Sequence, residues 1–197
     1  MSAVSTLRFA SFRVPNQVFY QSPLSAGIVN LKPLVPGHVL VIPRRVTPRF
    51  RDLTAEEVTD LFHSVHQISK VIEQEYKAQA LNIALQDGPL AGQSVPHVHI
   101  HIIPRRAKDF EPLDEMYTQL DSKDLSKDFA DAYASRPSRA ERKAFEAELR
   151  AREEGNVDAP FHGIEDERKP RSGQEMHEEA VRLSALFPRE NRAEFSE

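Results

Sequence analysis

Cysteine is absent from this 197-residue chain, which excludes a disulfide scaffold and any thiolate nucleophile or ligand, and fits a reducing compartment. No 18-residue apolar run is present to span a membrane. No apolar h-region follows the first methionine, so secretion is not expected. Acidic residues are missing from positions 1–51, which carry seven basic ones: Arg8, Arg13, Lys32, Arg44, Arg45, Arg49 and Arg51. The remainder holds 19 basic against 30 acidic residues, so the net charge of −4 hides an asymmetry. A basic front half can steer a polyanionic substrate, although a solvated basic surface explains any single arginine equally well. The negative total and the lack of a basic strip interleaved with aromatics argue against nucleic-acid binding. The first twenty residues bear Ser and Arg without acids, which leaves mitochondrial targeting open. Residues 9–20 nevertheless read as part of the folded domain, and the cytoplasm, with the nucleus as a second compartment, is the expected location.

Short β-rich runs at 25–29 and 38–42 flank a Pro36-Gly37 turn. Thr54 and Glu57 form a capping box, after which Val58, Leu61, Phe62, Val65, Ile68 and Ile72 recur at helical spacing to about Tyr76. His63 and His66 fall beside that stripe and read as helix-surface residues. Residues 81–86 alternate as a strand and end in an Asp87-Gly88-Pro89 turn. One long helix against adjacent antiparallel strands is an α+β arrangement. Beyond Pro104 the chain is rich in charge and turn formers. The pattern predicts a domain core over 1–118, a charged, mobile, partly helical insertion over 119–171, a docked helix over 172–187 and a tail over 188–197. Within the insertion a weak helix is expected over 138–154, and His162 has no assigned role. In the final helix Ser172 and Glu175 make a second capping box, and Met176, Ala180, Leu183 and Phe187 form one apolar stripe.

The run His97-Val98-His99-Ile100-His101-Ile102-Ile103 carries most of the chemistry. On a strand His97, His99 and His101 share one face while Val98, Ile100 and Ile102 bury the other. Such a row of imidazoles can supply a nucleophile and a proton donor. A metal site is the competing reading. His97 and His101 lie about 13 Å apart along a strand, too far to bind one ion together at zinc–nitrogen distances of about 2.1 Å. There is no HExxH motif and no carboxylate cluster, so no protein-held metal is predicted.

With Gln86-Asp87-Gly88-Pro89, Ala91-Gly92-Gln93-Ser94-Val95, Pro104-Arg105-Arg106, Val29-Asn30-Leu31-Lys32-Pro33 and Pro36-Gly37-His38-Val39-Leu40-Val41 around it, the run resembles the histidine triad (HIT) superfamily. It is similar in particular to the fragile histidine triad branch of dinucleoside polyphosphate hydrolases. The resemblance covers roughly residues 7–117; the long insertion and the tail resemble fungal members. It implies a HIT-like fold, an antiparallel sheet with one long helix and a C-terminal helix, commonly as a homodimer. It also implies hydrolysis of diadenosine triphosphate to AMP and ADP, with His99 as nucleophile and transiently nucleotidylated. His97 and His38 match positions that support the nucleophile, and His101 the position facing the scissile phosphate. Asn30 and Gln86 match nucleotide-contacting positions, with the ribose as target. Gly92, Gln93, Ser94 and Val95 match the phosphate-lining loop, and Phe9 or Phe12 is a candidate platform for the base. Mg²⁺ or Mn²⁺ is expected to arrive with the substrate phosphates. Three alternatives stay open: a preference for the tetraphosphate, an AMP–amine phosphoramidase, and a nucleotide-binding signalling module whose bound complex is the output.

Overall fold

The computed structural model describes residues 7–120, 170–193 and 195. Nearly all of the insertion, with the helix expected over 138–154 and His162, lies outside them. The chain opens with a short antiparallel ladder, β1 (Arg8–Phe9) against β2 (Phe12–Arg13). Then come β3 (Val18–Gln21), β4 (Ser25–Val29), β5 (Val39–Pro43), helix α1 (Ala55–Glu75), β6 (Ala80–Leu85), β7 (Ile100–Arg105), α2 (Glu115–Leu120) and α3 (Gly173–Ser184). Strands β3 to β7 make one antiparallel sheet in the order β3-β4-β5-β7-β6. The architecture is α+β.

Helix α1 starts where its sequence signal stands. Thr54 Oγ accepts from Glu57 N–H, and the Glu57 carboxylate accepts from Thr54 N–H, satisfying donors that a helix start leaves over. Its stripe of Leu61, Val65, Ile68 and Ile72 is buried, while Phe62, His63 and His66 are exposed.

Register decides which side of the sheet carries the site. Gly27, Val41, Ile100 and Leu85 are successive partners across four strands; Ile28, Leu40, His101 and Ala84 are the neighbouring row. Adjacent rows point to opposite faces. A Cβ on Gly27 would lie 2.9 Å from Ile68 of α1, so α1 covers the Gly27 row and His101 looks away from it. Glycine at 27 lets the helix sit this close.

The strand expected from residue 97 begins only at Ile100. Val98 N–H donates to Thr47 O at 2.7 Å and His97 N–H to Val95 O at 2.8 Å, which draws residues 95–98 out of the ladder. His97 therefore sits in a bend, off the strand face that His99 and His101 were expected to share with it.

Helix α3 carries its own capping box between Ser172 and Glu175. Met176, Ala180, Leu183 and Phe187 are buried where the helix lies against β3, β4 and the turn Pro15–Gln17. The Phe187 ring packs 5.0 Å from Tyr20 and 5.9 Å from Phe19. Residues 188–193, expected as an appended tail, instead run along the outer side of β3. Arg192 bridges to Tyr20, Asn191 Nδ2 donates to Gln21 O at 2.9 Å, and Ala193 N–H donates to Ser184 Oγ at 3.0 Å. Because the α3 stripe is sealed, Leu183→Ala is expected to cost about 2–5 kcal/mol as a cavity-forming deletion. Urea unfolding of the two proteins measures it; a change below about 1 kcal/mol would mean that α3 is loosely attached.

Candidate active site

Four imidazoles, His38, His97, His99 and His101, are buried together. His99 and His101 rings lie 5.0 Å apart, and His38 and His101 rings 5.2 Å apart. The hydrogen bonds around them fix the tautomer of each neutral ring.

His97 Nδ1 accepts from Ala10 N–H at 3.0 Å, so its proton is on Nε2, which donates to Pro43 O at 2.9 Å. Both ring nitrogens are thereby committed to backbone. His99 Nδ1 lies 2.7 Å from His97 O; a carbonyl only accepts, so Nδ1 carries the proton and Nε2 keeps the lone pair. His38 Nδ1 accepts from Leu34 N–H at 3.1 Å, which places its proton on Nε2, 2.9 Å from His101 Nδ1. His101 thus accepts at Nδ1, and its own proton sits on Nε2. The result is one imidazole presenting a lone pair beside another presenting an N–H.

His38 and His97 hold different partners. His97 supports His99 through its main-chain carbonyl, whereas His38 bonds His101 and not the proposed nucleophile. Asn30 is buried beside His38: its Oδ1 accepts from Lys32 N–H at 3.0 Å, and its Nδ2 lies 3.2 Å from His38 Nε2, a packing contact between two donors rather than a hydrogen bond. Phe9 is buried and packs edge-on to His99 at 5.3 Å and tilted on His97 at 5.5 Å. Phe12 is buried as well. Neither aromatic is an open platform for a base; Phe9 instead walls the imidazoles from water.

That wall sets the charge state. Burial disfavours imidazolium, and it pushes His97 down to about 3 against the opposing effect of its bond to Pro43 O. Burial also lowers His99, against the opposing bond to His97 O. His99 is accordingly neutral, with a free lone pair, at pH 7.

The loop at 86–95 is clamped to the β5–α1 connection. The Asp87 carboxylate accepts from Arg49 Nε at 3.1 Å and from Phe50 N–H at 2.8 Å. Burial raises the Asp87 pKa, but these donors outweigh it and leave the carboxyl below its ordinary value. Gly88 has φ +101°, and a Cβ there would lie 2.9 Å from the Arg49 guanidinium, so the turn requires glycine. Gln93 Oε1 accepts from Gly88 N–H at 2.8 Å and its Nε2 donates to Pro48 O at 2.8 Å. The sequence suggests Gln93 and Ser94 as phosphate ligands; Gln93 here has both amide ends on backbone and must exchange one bond to meet a phosphate. Ser94 and Gly92 are half-buried in the same loop, Val95 is buried, and Gln86 is half-buried at the end of β6.

Much of the basic front half is spent internally. Arg45 forks onto Glu57 at 2.6 and 2.7 Å, Arg44 donates to Ser22 O, and Arg49 holds Asp87. Sequence reasoning missed the Arg49–Asp87 pair and the roles of the Pro43, Thr47 and Pro48 carbonyls, none of which leaves a local signal. Among the described residues, no group of three or more His, Cys, Asp or Glu is placed to hold a metal ion, and no helix is long and apolar enough to cross a membrane.

The HIT domain family profile matches residues 11–108. The chain is 43% identical over 195 residues to the bis(5'-nucleosyl)-tetraphosphatase [asymmetrical] of Schizosaccharomyces pombe, covering 95% of this chain and 98% of that one. It is 49% identical over 139 residues to the bifunctional bis(5'-adenosyl)-triphosphatase/adenylylsulfatase FHIT of Arabidopsis thaliana, covering 66% of this chain and 77% of that one. Among solved structures, the C. elegans NitFhit protein superposes with a TM-score of 0.62 at 34% identity, over 95% of this chain and 31% of that longer one.

The lowered histidines predict a stability profile. Between about pH 6.5, the ordinary imidazole value, and 3, the unfolded chain binds a proton at His97 that the folded chain does not. Folding stability is therefore complete above 6.5 and declines as pH falls toward 3, by up to about 1.4 kcal/mol per pH unit for each such histidine. Urea midpoints at pH 7, 6 and 5 should fall in that order. NMR should show a native His97 ring that stays neutral at pH 5; titration near 6.5 would contradict the burial argument.

Proposed function

The chain belongs to the HIT domain family, and on that footing we propose that it hydrolyses dinucleoside polyphosphates by way of a nucleotidyl group carried on His99. The observation that carries this reading is the bond from His99 Nδ1–H to His97 O at 2.7 Å, which leaves a neutral, desolvated Nε2 as the attacking atom. Attack on the α-phosphorus forms a P–N bond and breaks the bridging P–O bond, releasing ADP from diadenosine triphosphate. Water then attacks the same phosphorus and gives up a proton to solvent, the P–N bond breaks with its electron pair returning to Nε2, and AMP leaves. The His101 Nε2–H donates to the phosphate oxygens as charge grows on them. Its direction is set by His38, whose own Nδ1 is occupied by Leu34 N–H. Asn30 and Gln86 contact the ribose, and the 92–95 loop lines the phosphates once Gln93 trades a backbone bond for a substrate oxygen.

Of the buried imidazoles only His99 keeps an uncommitted lone pair, at Nε2, and one nitrogen is too small a donor set to hold a resident metal. Mg²⁺ or Mn²⁺ enters on the substrate phosphates, and no step above depends on it. The cysteine-free composition suits a reducing compartment such as the cytoplasm or nucleus. The reading of a homodimer is supported by β6, an outer strand of the sheet among the described strands, with Ile83 half exposed. A second copy adds there by edge pairing. The name of the S. pombe relative favours a second reading of the substrate, the tetraphosphate, which the same chemistry splits into AMP and ATP.

His99→Asn should lower kcat by more than about 10³-fold with nucleotide affinity retained, read by steady-state rates and equilibrium binding. Activity within tenfold of the parent would remove the covalent step. Turnover of the tri- and tetraphosphates and an AMP–amine in ¹⁸O-water should place the label in AMP and rank the substrates. The acid limb of kcat should lie below about pH 6.5, because burial lowers His99; an acid limb above that value would point to another titrating group.

A further inference from the structure

We propose that Arg171 is a positioning residue for the His38–His101 pair, tying the seating of α3 to the geometry of the donor at the scissile phosphate. The proposal rests on the reading of His101 given above.

Arg171 lies just before α3 yet bonds to the end of β4. Its N–H donates to Leu31 O at 3.0 Å, its Nε donates to Asn30 O at 3.0 Å, and a second guanidinium nitrogen donates to the same carbonyl. A carbonyl has two lone pairs and can take both donors. The remaining arm of the fork pairs with Glu179 on α3. Asn30 is thereby held from both sides, by Arg171 on its main chain and by Lys32 N–H on its side chain, with its amide against His38.

A second contact reaches His38 from the other direction. Gly37, next to His38, has φ +85°, and a Cβ there would lie 2.6 Å from the Tyr76 ring. The turn before His38 thus rests on Tyr76. The Tyr76 hydroxyl donates to Glu179 at 2.5 Å and accepts from Arg182 at 2.7 Å. Burial pushes the Tyr76 hydroxyl up and Glu179 adds to the effect, so it remains a donor. Glu179 is therefore the common anchor of two supports that converge on His38, one through Arg171 and Asn30 and one through Tyr76 and Gly37. Arg192, beyond the far end of α3, donates to Phe187 O at 2.7 Å and Ala185 O at 3.1 Å, away from both supports.

The test compares Arg171→Ala, Arg171→Lys and Arg192→Ala by melting temperature, kcat and KM on the diadenosine substrates. Histidine ring ¹⁵N NMR of the ligand-free proteins reports the tautomers. Arg192→Ala should lower the melting temperature with kcat within about twofold of the parent. Arg171→Ala should lower kcat about ten- to a hundredfold, a loss in the reacting complex that stands apart from any rise in KM caused by displacing the Asn30 ribose contact. It should also replace the single Nε2–H tautomer of His38 and His101 by a mixture. Arg171→Lys should fall between, since an ammonium keeps the charge on Glu179 but lacks the fork. Should Arg171→Ala not fold, Glu179→Gln loosens the same anchor and is read identically. Equal melting losses in Arg171→Ala and Arg192→Ala, with kcat and tautomers as in the parent, would overturn the proposal. If the parent hydrolyses none of the substrates, the functional reading fails by itself, and the tautomers still decide whether Arg171 sets the pair.

Discussion

A single main-chain carbonyl organises the site. His97 O can accept from His99 Nδ1–H only because residues 95–98 leave the ladder; within a regular strand that oxygen would face a neighbouring strand. Its aim depends on the His97 ring, which is held by Ala10 N–H and Pro43 O. The short N-terminal ladder therefore helps to set the direction of a lone pair on a residue about ninety positions away. Burying so many imidazoles would be costly if their polar atoms were unmet. The observed backbone partners offset that cost, and each also selects a tautomer.

The connection between β5 and α1 does the corresponding work for the loop before the triad. Pro43 O receives His97, Thr47 O receives Val98, Pro48 O receives Gln93, and Arg49 with Phe50 N–H holds Asp87. Arg45 pins this connection to Glu57, which is also half of the α1 capping box. Helix start, connection and loop form one hydrogen-bonded unit. A ligand that enters such a loop trades existing bonds for new ones, so its affinity reflects a difference between two sets of partners.

Features that depend on neighbours in sequence were legible there. Both capping boxes, the α1 stripe, the α3 stripe and the runs that became β4 and β5 are local patterns, and the polypeptide forms them for local reasons. Alternation also placed His99 and His101 together. It misplaced His97, because the pull of Thr47 O on Val98 comes from fifty residues away and has no periodic trace. The partnership of His38 with His101 and the confinement of Phe9 between imidazoles are likewise properties of packing. Charge counting left Arg44, Arg45 and Arg49 open between a steering patch and a solvated surface, because a count cannot tell a solvated guanidinium from one bonded to a carboxylate or carbonyl.

The two borders of the sheet are not alike. Residues 188–193 lie along β3, with Arg192 bridged to Tyr20 and Asn191 bonded to Gln21 O, while β6 keeps its outer side open among the described strands. Two open borders would allow copies to add head to tail without limit, the geometry of a fibre. One covered border and one open border restrict any such addition to a two-fold arrangement in which each copy uses the same strand, and that arrangement closes on itself. The segment after α3 thus caps the β3 border against the addition of a further strand.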